Sequence, residues 1–434
     1  MKKTLSLILL IVMSVSSICL AQTGQPLVSS KLAGTQHASP YNVYGVPFPR
    51  IEADSRVTFQ FTAPYAQKVQ VSIANVPYDM VKGENGVWTY TSEPQDKGYH
   101  NYWMIVDGAI VLDPATDGLI GYSHMCNSFE IPDPDGAFYD LKDVSHGNVL
   151  LENYYSSVTE SWRHIYIYTP PDYEKNTSAR YPVLYLQHGG GEDQRVWIEM
   201  GRTNLILDNL IAEGKCKPFI VVMETSSARK PGEPIPQMRA PGAPGPGAPG
   251  PGAPAPGQGA PAGQPAPAGA RPGAPAGQPG QGAPGQGAPG GQAARPRMGF
   301  SFDTYAEVMI KDMIPYIDKN FRTVADQANR AMSGLSMGGM CTKAVTLAHL
   351  ETFSHIGLFS GGAIAPNEIT DKSKVKVVFM SYGSRERGSE GVKAAADALN
   401  QAGIKGVSYV SPLTAHEWQS WRRSLREFAP LLFN

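Results

Sequence analysis

From Trp162 to the C-terminus, short apolar runs alternate with amphipathic stretches, and this narrows the possible folds more than any other feature of the chain. The apolar runs at 165–168, 183–187, 219–223, 331–333, 355–359, 375–381 and 407–410 are too short for helices. They read as strands of a mostly parallel sheet buried on both faces. Between them, 204–212, 305–320, 391–401 and 417–432 carry apolar residues at helical spacing, so helices should cover both faces of that sheet.

The N-terminal part has a different period. Residues 57–61, 69–73 and 87–90 alternate between apolar and polar, with turn signals between them, which predicts half-buried strands. A further strand follows at 99–106, and Asp107-Gly108 supplies a tight turn into 110–112. Residues 22–150 therefore read as a small all-β sandwich, and residues 151–434 as an α/β domain. Within the second, residues 231–296 hold 19 of the 37 prolines and repeats of Gly-Ala-Pro-Gly. Such a composition buries too little apolar surface to offset the entropy of ordering, so this segment is expected to be a disordered insert.

Met1-Lys2-Lys3, an apolar run over 5–20 and the small residue Ala21 predict a signal peptide over residues 1–21, hence a periplasmic or secreted protein. No later segment has the length and apolarity of a membrane span, so no membrane association is expected after cleavage. With 37 basic and 38 acidic side chains there is no basic field to hold nucleic acid. Cys126, Cys216 and Cys341 are too widely spaced for a metal-ligand pattern, and neither metal nor cofactor is expected.

Gly334-Leu335-Ser336-Met337-Gly338 fits the G-x-S-x-G turn that exposes a nucleophilic serine between a strand and a helix. In a chain with 46 glycines the pattern alone is weak, so its flanks decide. A strand candidate leads in at 330–333 and a helix candidate leads out at 339–350. A serine hydroxyl needs a base to remove its proton, and in this fold the order is serine, acid, histidine. After Ser336 come only His349, within the outgoing helix, His355, at the start of a strand, and His416, in a loop after the last strand. His416 is the candidate base. The acid is to be chosen among Glu351, Glu368, Asp371, Glu386, Glu390 and Asp397. Glu386 stands just past the strand at 375–381, on the sheet edge where the site should form, and is preferred. Neighbouring Arg385 and Arg387 offer it a surface ion pair as the alternative role. The oxyanion needs two N–H donors. Gln187-His188-Gly189-Gly190-Gly191 follows a strand and resembles the HGGG loop, which assigns Gly190 and, after the nucleophile, Met337.

These motifs resemble carbohydrate esterase family one, the esterase D-like group that includes feruloyl and acetylxylan esterases. The matching residues are Tyr181 to Asp193, Leu207 to Ala212, Ala331 to Gly339, His416-Glu417-Trp418 and Trp421-Arg422. The first domain is similar to the carbohydrate-binding family 48 module, through Phe59 to Pro64, Gly86-Val87-Trp88, Val106-Asp107-Gly108 and Asp113-Pro114. The resemblance implies an α/β-hydrolase that removes feruloyl or acetyl groups from xylan, its partner being a polysaccharide or oligosaccharide ester. It also marks His188, Gly189, Gly191, Glu192 and Trp418 as substrate-pocket candidates. The chain departs from the family in having Glu386 where aspartate is common, Thr414-Ala415 before the histidine, and the proline-rich insert. A siderophore esterase of the enterobactin type is the alternative enzyme, and a non-catalytic carbohydrate-binding protein the alternative outside enzymology.

Overall fold

Each apolar run of the C-terminal part lies on a strand of one eight-stranded sheet. The computed structural model describes residues 30–43, 45–233 and 302–434. The expected signal peptide, and the expected insert from Pro234 on, lie outside the described residues. The strands are β1 (Asn148–Ser156), β2 (Ser161–Thr169), β3 (Val183–Gln187), β4 (Ile220–Glu224), β5 (Arg330–Leu335), β6 (His355–Phe359), β7 (Val377–Gly383) and β8 (Gly406–Ser411). Their order in the sheet is β1-β2-β4-β3-β5-β6-β7-β8. Neighbours from β4 to β8 pair in parallel, while β2 runs antiparallel to β4 and β1 antiparallel to β2.

Why the central strands carry no polar alternation is plain from their two faces. On β3, Leu184 and Leu186 join one core cluster and Val183 and Tyr185 another. The helices Thr203–Ala212 and Trp418–Phe428 close the first face through Ile206, Leu210, Leu425 and Phe428. The second face is closed by Val308, Met313 and Ile317 and by Val345 of the helix Met337–Ala348. Toward β7, Val392 and Leu399 of the helix Ser389–Gln401 complete it. Each such buried side chain contributes about 1.5–3 kcal/mol. The helix preceding β5 runs Asp303–Val308, widens into a π turn at Met309–Met313 and continues as Ile314–Asn320. Pro315 has no N–H to give to the preceding turn, and the widening falls directly before it.

The N-terminal region folds as two antiparallel sheets. One has the order His37–Ala38, Arg50–Ile51, Val57–Thr62, Val87–Thr91, Val81–Lys82. The other runs Gly118–Gly121, His124–Ile131, Gly98–Val106, Val69–Ile73, Val76–Asp79, with Ala109–Val111 also on Gly98–Val106. Phe59 and Trp88 of the first sheet share a core with Val71, Tyr102 and Phe129 of the second. Trp88 is buried and donates its indole N–H to the Ala63 carbonyl at 2.9 Å.

A buried ionic cluster joins this region to the large sheet's helices. Glu130 accepts from Arg422 at 2.6 Å and lies 3.3 Å from Arg202. Tyr41 also donates to it, and Arg422 donates a further bond to the Met200 carbonyl. Burial alone would raise the Glu130 carboxyl, but the two guanidiniums hold it well below the ordinary range.

Ser336, Glu386, His416 and the 187–191 loop follow β5, β7, β8 and β3. All four therefore gather at the carboxyl ends of parallel strands, where open α/β sheets place their ligands.

Candidate active site

The turn after β5 is shaped by two glycines. A Cβ on Gly334 would lie 2.5 Å from the Gly338 backbone, and one on Gly338 would lie 2.4 Å from the His188 carbonyl oxygen. Any larger side chain would push the helix off the strand. Between them Ser336 takes φ 52° and ψ −118°, a conformation rare for a residue with a Cβ, and its N–H donates to Phe359 at 2.7 Å. The strain presents the hydroxyl at the head of the helix Met337–Ala348.

His416 Nε2 lies 2.9 Å from Ser336 Oγ, and His416 Nδ1 lies 2.7 Å from Glu386 Oε2. Trp421 meets the imidazole edge to face at 5.0 Å and steadies its plane. The other oxygen of Glu386 accepts from the Gly383 N–H and from Ser360 Oγ, each at 2.7 Å. Burial pushes the Glu386 carboxyl up, yet the hydrogen bonds from His416, Gly383 and Ser360 outweigh it and leave it below the ordinary carboxylate range. Ser360 in turn accepts from the Trp421 indole at 3.1 Å.

The competing residues are occupied elsewhere. Glu351 pairs with His349, Glu368 with Lys343 and Asp397 with Lys393. Asp371 caps the Ser373 N–H, and Glu390 is exposed. His355 lies against Ser354 Oγ at 2.7 Å and accepts from the Phe433 N–H. Arg385 pairs with Asp96 at 2.5 Å, not with Glu386.

Above Ser336 opens a cleft of about 360 Å³. Of the pocket candidates, Gly189, Glu192 and Trp418 line it together with Gly190, while His188 and Gly191 do not. His188 is buried behind the loop, with Nδ1 on the Gly189 carbonyl at 2.7 Å. A Cβ built on Gly190 would lie 3.8 Å from Met337 Sδ, so the two residues proposed to line the oxyanion site are neighbours. Met337 opens its helix, where an N–H has no intrahelical acceptor. Glu192 accepts the Gly189 N–H at 2.8 Å and braces the loop, and burial pushes its carboxyl up to about 7.

Sequence reasoning did not find the cleft's other wall. Tyr99, His100, Asn101 and Tyr122 all come from the N-terminal region. Nor did it find Ser360. No local pattern marks these residues, because their partners lie far along the chain. Among the described residues no group of three His, Cys, Asp or Glu is arranged to hold a metal ion.

Residues 156–245 and 285–431 match the model of the family Esterase, described as "Putative esterase". The chain belongs to this family. The family match breaks between 246 and 284, so that part of the proline-rich stretch is additional to what the esterases share. This esterase is 36% identical over 403 residues to an endo-1,4-beta-xylanase/feruloyl esterase of Xylanibacter ruminicola. The alignment takes in 91% of this chain and 47% of that protein, so the chain spans about half the length of its relative. Among solved structures, it is similar to the enterobactin esterase of Shigella flexneri with TM-score 0.52 and 13% identity, over 86% of this chain and 92% of that one. A ferulic acid esterase of Anaeromyces mucronatus, solved with ferulic acid, aligns with TM-score 0.47 and 17% identity, over 68% of this chain and 93% of that one. The likeness to the enterobactin esterase is one of fold, with an α/β-hydrolase-like sheet.

Proposed function

We propose that this esterase is an exported serine hydrolase that removes feruloyl or acetyl groups from plant cell-wall xylan through an acyl-enzyme. The observation that carries the reading is the unbroken line Ser336 Oγ, His416, Glu386, with contacts of 2.9 and 2.7 Å, at the floor of a cleft. In this mechanism His416 Nε2 takes the Ser336 proton as Oγ attacks the ester carbonyl. The N–H groups of Gly190 and Met337 stabilise the oxyanion. As the tetrahedral intermediate collapses and the bond from the carbonyl carbon to the sugar oxygen breaks, His416 hands its proton to that oxygen, the sugar leaves as the alcohol, and the acyl group stays on Ser336. Water, deprotonated by His416, attacks the acyl-enzyme, and the acid leaves as Ser336 recovers its proton. Glu386 keeps the imidazole oriented and balances its charge at both steps. The scheme uses no cofactor. Residues 1–21 would direct export, and residues 22–150 would be the family 48-like domain.

Two features support a feruloyl sugar ester. The relative sharing 36% identity is a xylanase/feruloyl esterase, and the cleft is lined by the buried aromatics Tyr99, Trp418 and Trp421, which suit an aromatic acyl group. Fold likeness over 86% of the chain favours the enterobactin-type reading as the second. Against it, the cleft lining includes Glu192 and Glu417 but no lysine or arginine to meet a catecholate anion.

Purified protein assayed on p-nitrophenyl acetate, methyl ferulate and a siderophore ester separates the readings. Methyl ferulate is expected to be cleaved, with Ser336→Ala falling by about a million-fold. Turnover of the siderophore ester alone would transfer the chain to the second reading, and no turnover at all would leave a carbohydrate-binding protein.

A further inference from the structure

One wall of the cleft lies outside the part of the chain that matches the esterase family, which begins at residue 156. Tyr122 stands there, at the tip of the hairpin formed by Gly118–Gly121 and His124–Ile131. Tyr122 and Ser123 make the turn with φ 51° and 66°. Two-residue turns of this geometry favour Asn-Gly, and a bulky aromatic at positive φ is uncommon because its Cβ crowds the backbone. The backbone is thus held in a costly state that presents this ring.

The ring is also firmly placed. Trp103 packs against it with centroids 5.6 Å apart. The Ser123 N–H donates to the Gly191 carbonyl at 3.0 Å, tying the turn to the loop that carries Gly190. A Cβ on Gly191 would fall 2.6 Å from Ser123 N, so the contact leaves no room for adjustment. Tyr122 therefore keeps a set position relative to Ser336.

Its exposure differs from that of the aromatics across the cleft. Tyr122 is 49% exposed, whereas Trp418 and Trp421 are 4% and 6% exposed. An ester of a polymer has one end that can be enclosed, the acyl group, and one that must run out to solvent, the sugar chain. Resting on the polysaccharide-ester reading above, we propose that Tyr122 is the platform on which the sugar ring bearing the ester stacks, with Asn101 beside it on the same wall. The C–H groups on one face of a sugar meet the negative face of an aromatic ring favourably.

Kinetics of the full chain on methyl ferulate and on a feruloylated arabinoxylan oligosaccharide test this, since the two esters share the acyl group and differ in the alcohol. Tyr122→Ala and Tyr122→Asn are each expected to raise KM for the oligosaccharide about three- to tenfold, with kcat and both constants for methyl ferulate within about twofold of the parent. Tyr122→Phe, which keeps the ring, should retain the parental KM. Tyr122→Asn should also melt at a higher temperature, because asparagine suits the turn, so a lost affinity cannot be laid to unfolding. Equal effects on both esters, no effect on either, or a Phe variant as impaired as Ala would overturn the proposal. A parent that cleaves neither ferulate ester would instead overturn the functional reading, and the platform with it.

Discussion

Burial raises the carboxyls of both Glu386 and Glu192, but only Glu386 has enough hydrogen-bond donors to reverse the effect. With its charge retained, Glu386 can hold the protonated imidazole of His416. Glu386→Gln should therefore lower kcat about ten-thousand-fold on a small aryl ester, while Asp397→Asn, in an exposed pair with Lys393, should change it less than twofold. The reverse ranking would move the acid to Asp397. Glu192 holds its proton more tightly in the folded protein, at about 7, than in the unfolded chain, near 4.5. Ionising it therefore destabilises the native state, and the stability present at low pH is lost as pH rises from about 4.5 through 7. Glu192→Gln removes that dependence. Its melting temperature relative to the parent should be higher at pH 8 than at pH 5, and a difference independent of pH would refute the raised carboxyl.

Among the elements, the strand-turn-helix around Ser336 tolerates little change. Gly338→Ala would force the helix Met337–Ala348 away from the His188 carbonyl, only 2.4 Å from the added carbon, and with it Met337 from Gly190. We expect a cost of about 1–3 kcal/mol in urea unfolding. The expected loss in kcat is about a hundredfold, since a shift near 1 Å at a reacting centre has that effect. A fully active Gly338→Ala enzyme would contradict the packing described. This element was legible in the sequence because its logic is local, two glycines spaced around a serine between an apolar run and a helix. The parallel strands were legible for a related reason, as both faces are covered and their apolar runs are continuous. The strand His124–Ile131 was not. Asn127, Ser128 and Glu130 are buried on it, and each is satisfied from afar, by Asp113, Tyr99 and Arg422. β1 hid for the opposite reason. Leu151 and Tyr155 are exposed on it while Tyr154 is buried, so its composition does not alternate with its faces. Tyr122 and Ser360 gave no signal because their roles exist only once distant segments have met.

At the scale of the molecule, the junction between the N-terminal region and the large sheet rests on Glu130 and its two arginines. Arg422→Met leaves Glu130 to Arg202 alone in a buried site, and breaking such a pair costs about 3–5 kcal/mol. A large fall in melting temperature is expected, and an unchanged one would mean that the junction is held by apolar contacts only. A fragment ending at residue 150 would keep Glu130 and lose both arginines, so binding measured on it would report on a damaged surface. Elsewhere the molecule is far more permissive. Where the described chain stops at Glu233 and resumes at Phe302, Lys230 pairs with Glu307 at 2.6 Å, so the two stems are clasped before the intervening residues begin. Replacing residues 234–301 by a short Gly-Ser linker should leave aryl acetate hydrolysis unchanged and the melting temperature unchanged or slightly higher, because each halving of the length between the stems removes only about 0.6 kcal/mol of closure cost. Unfolding on that replacement would show that the clasp alone does not suffice. The clasp makes this point of the chain a docking port for foreign sequence, one at which a lineage could append a tether, or an experimenter a fluorescent reporter, without the sheet registering the change.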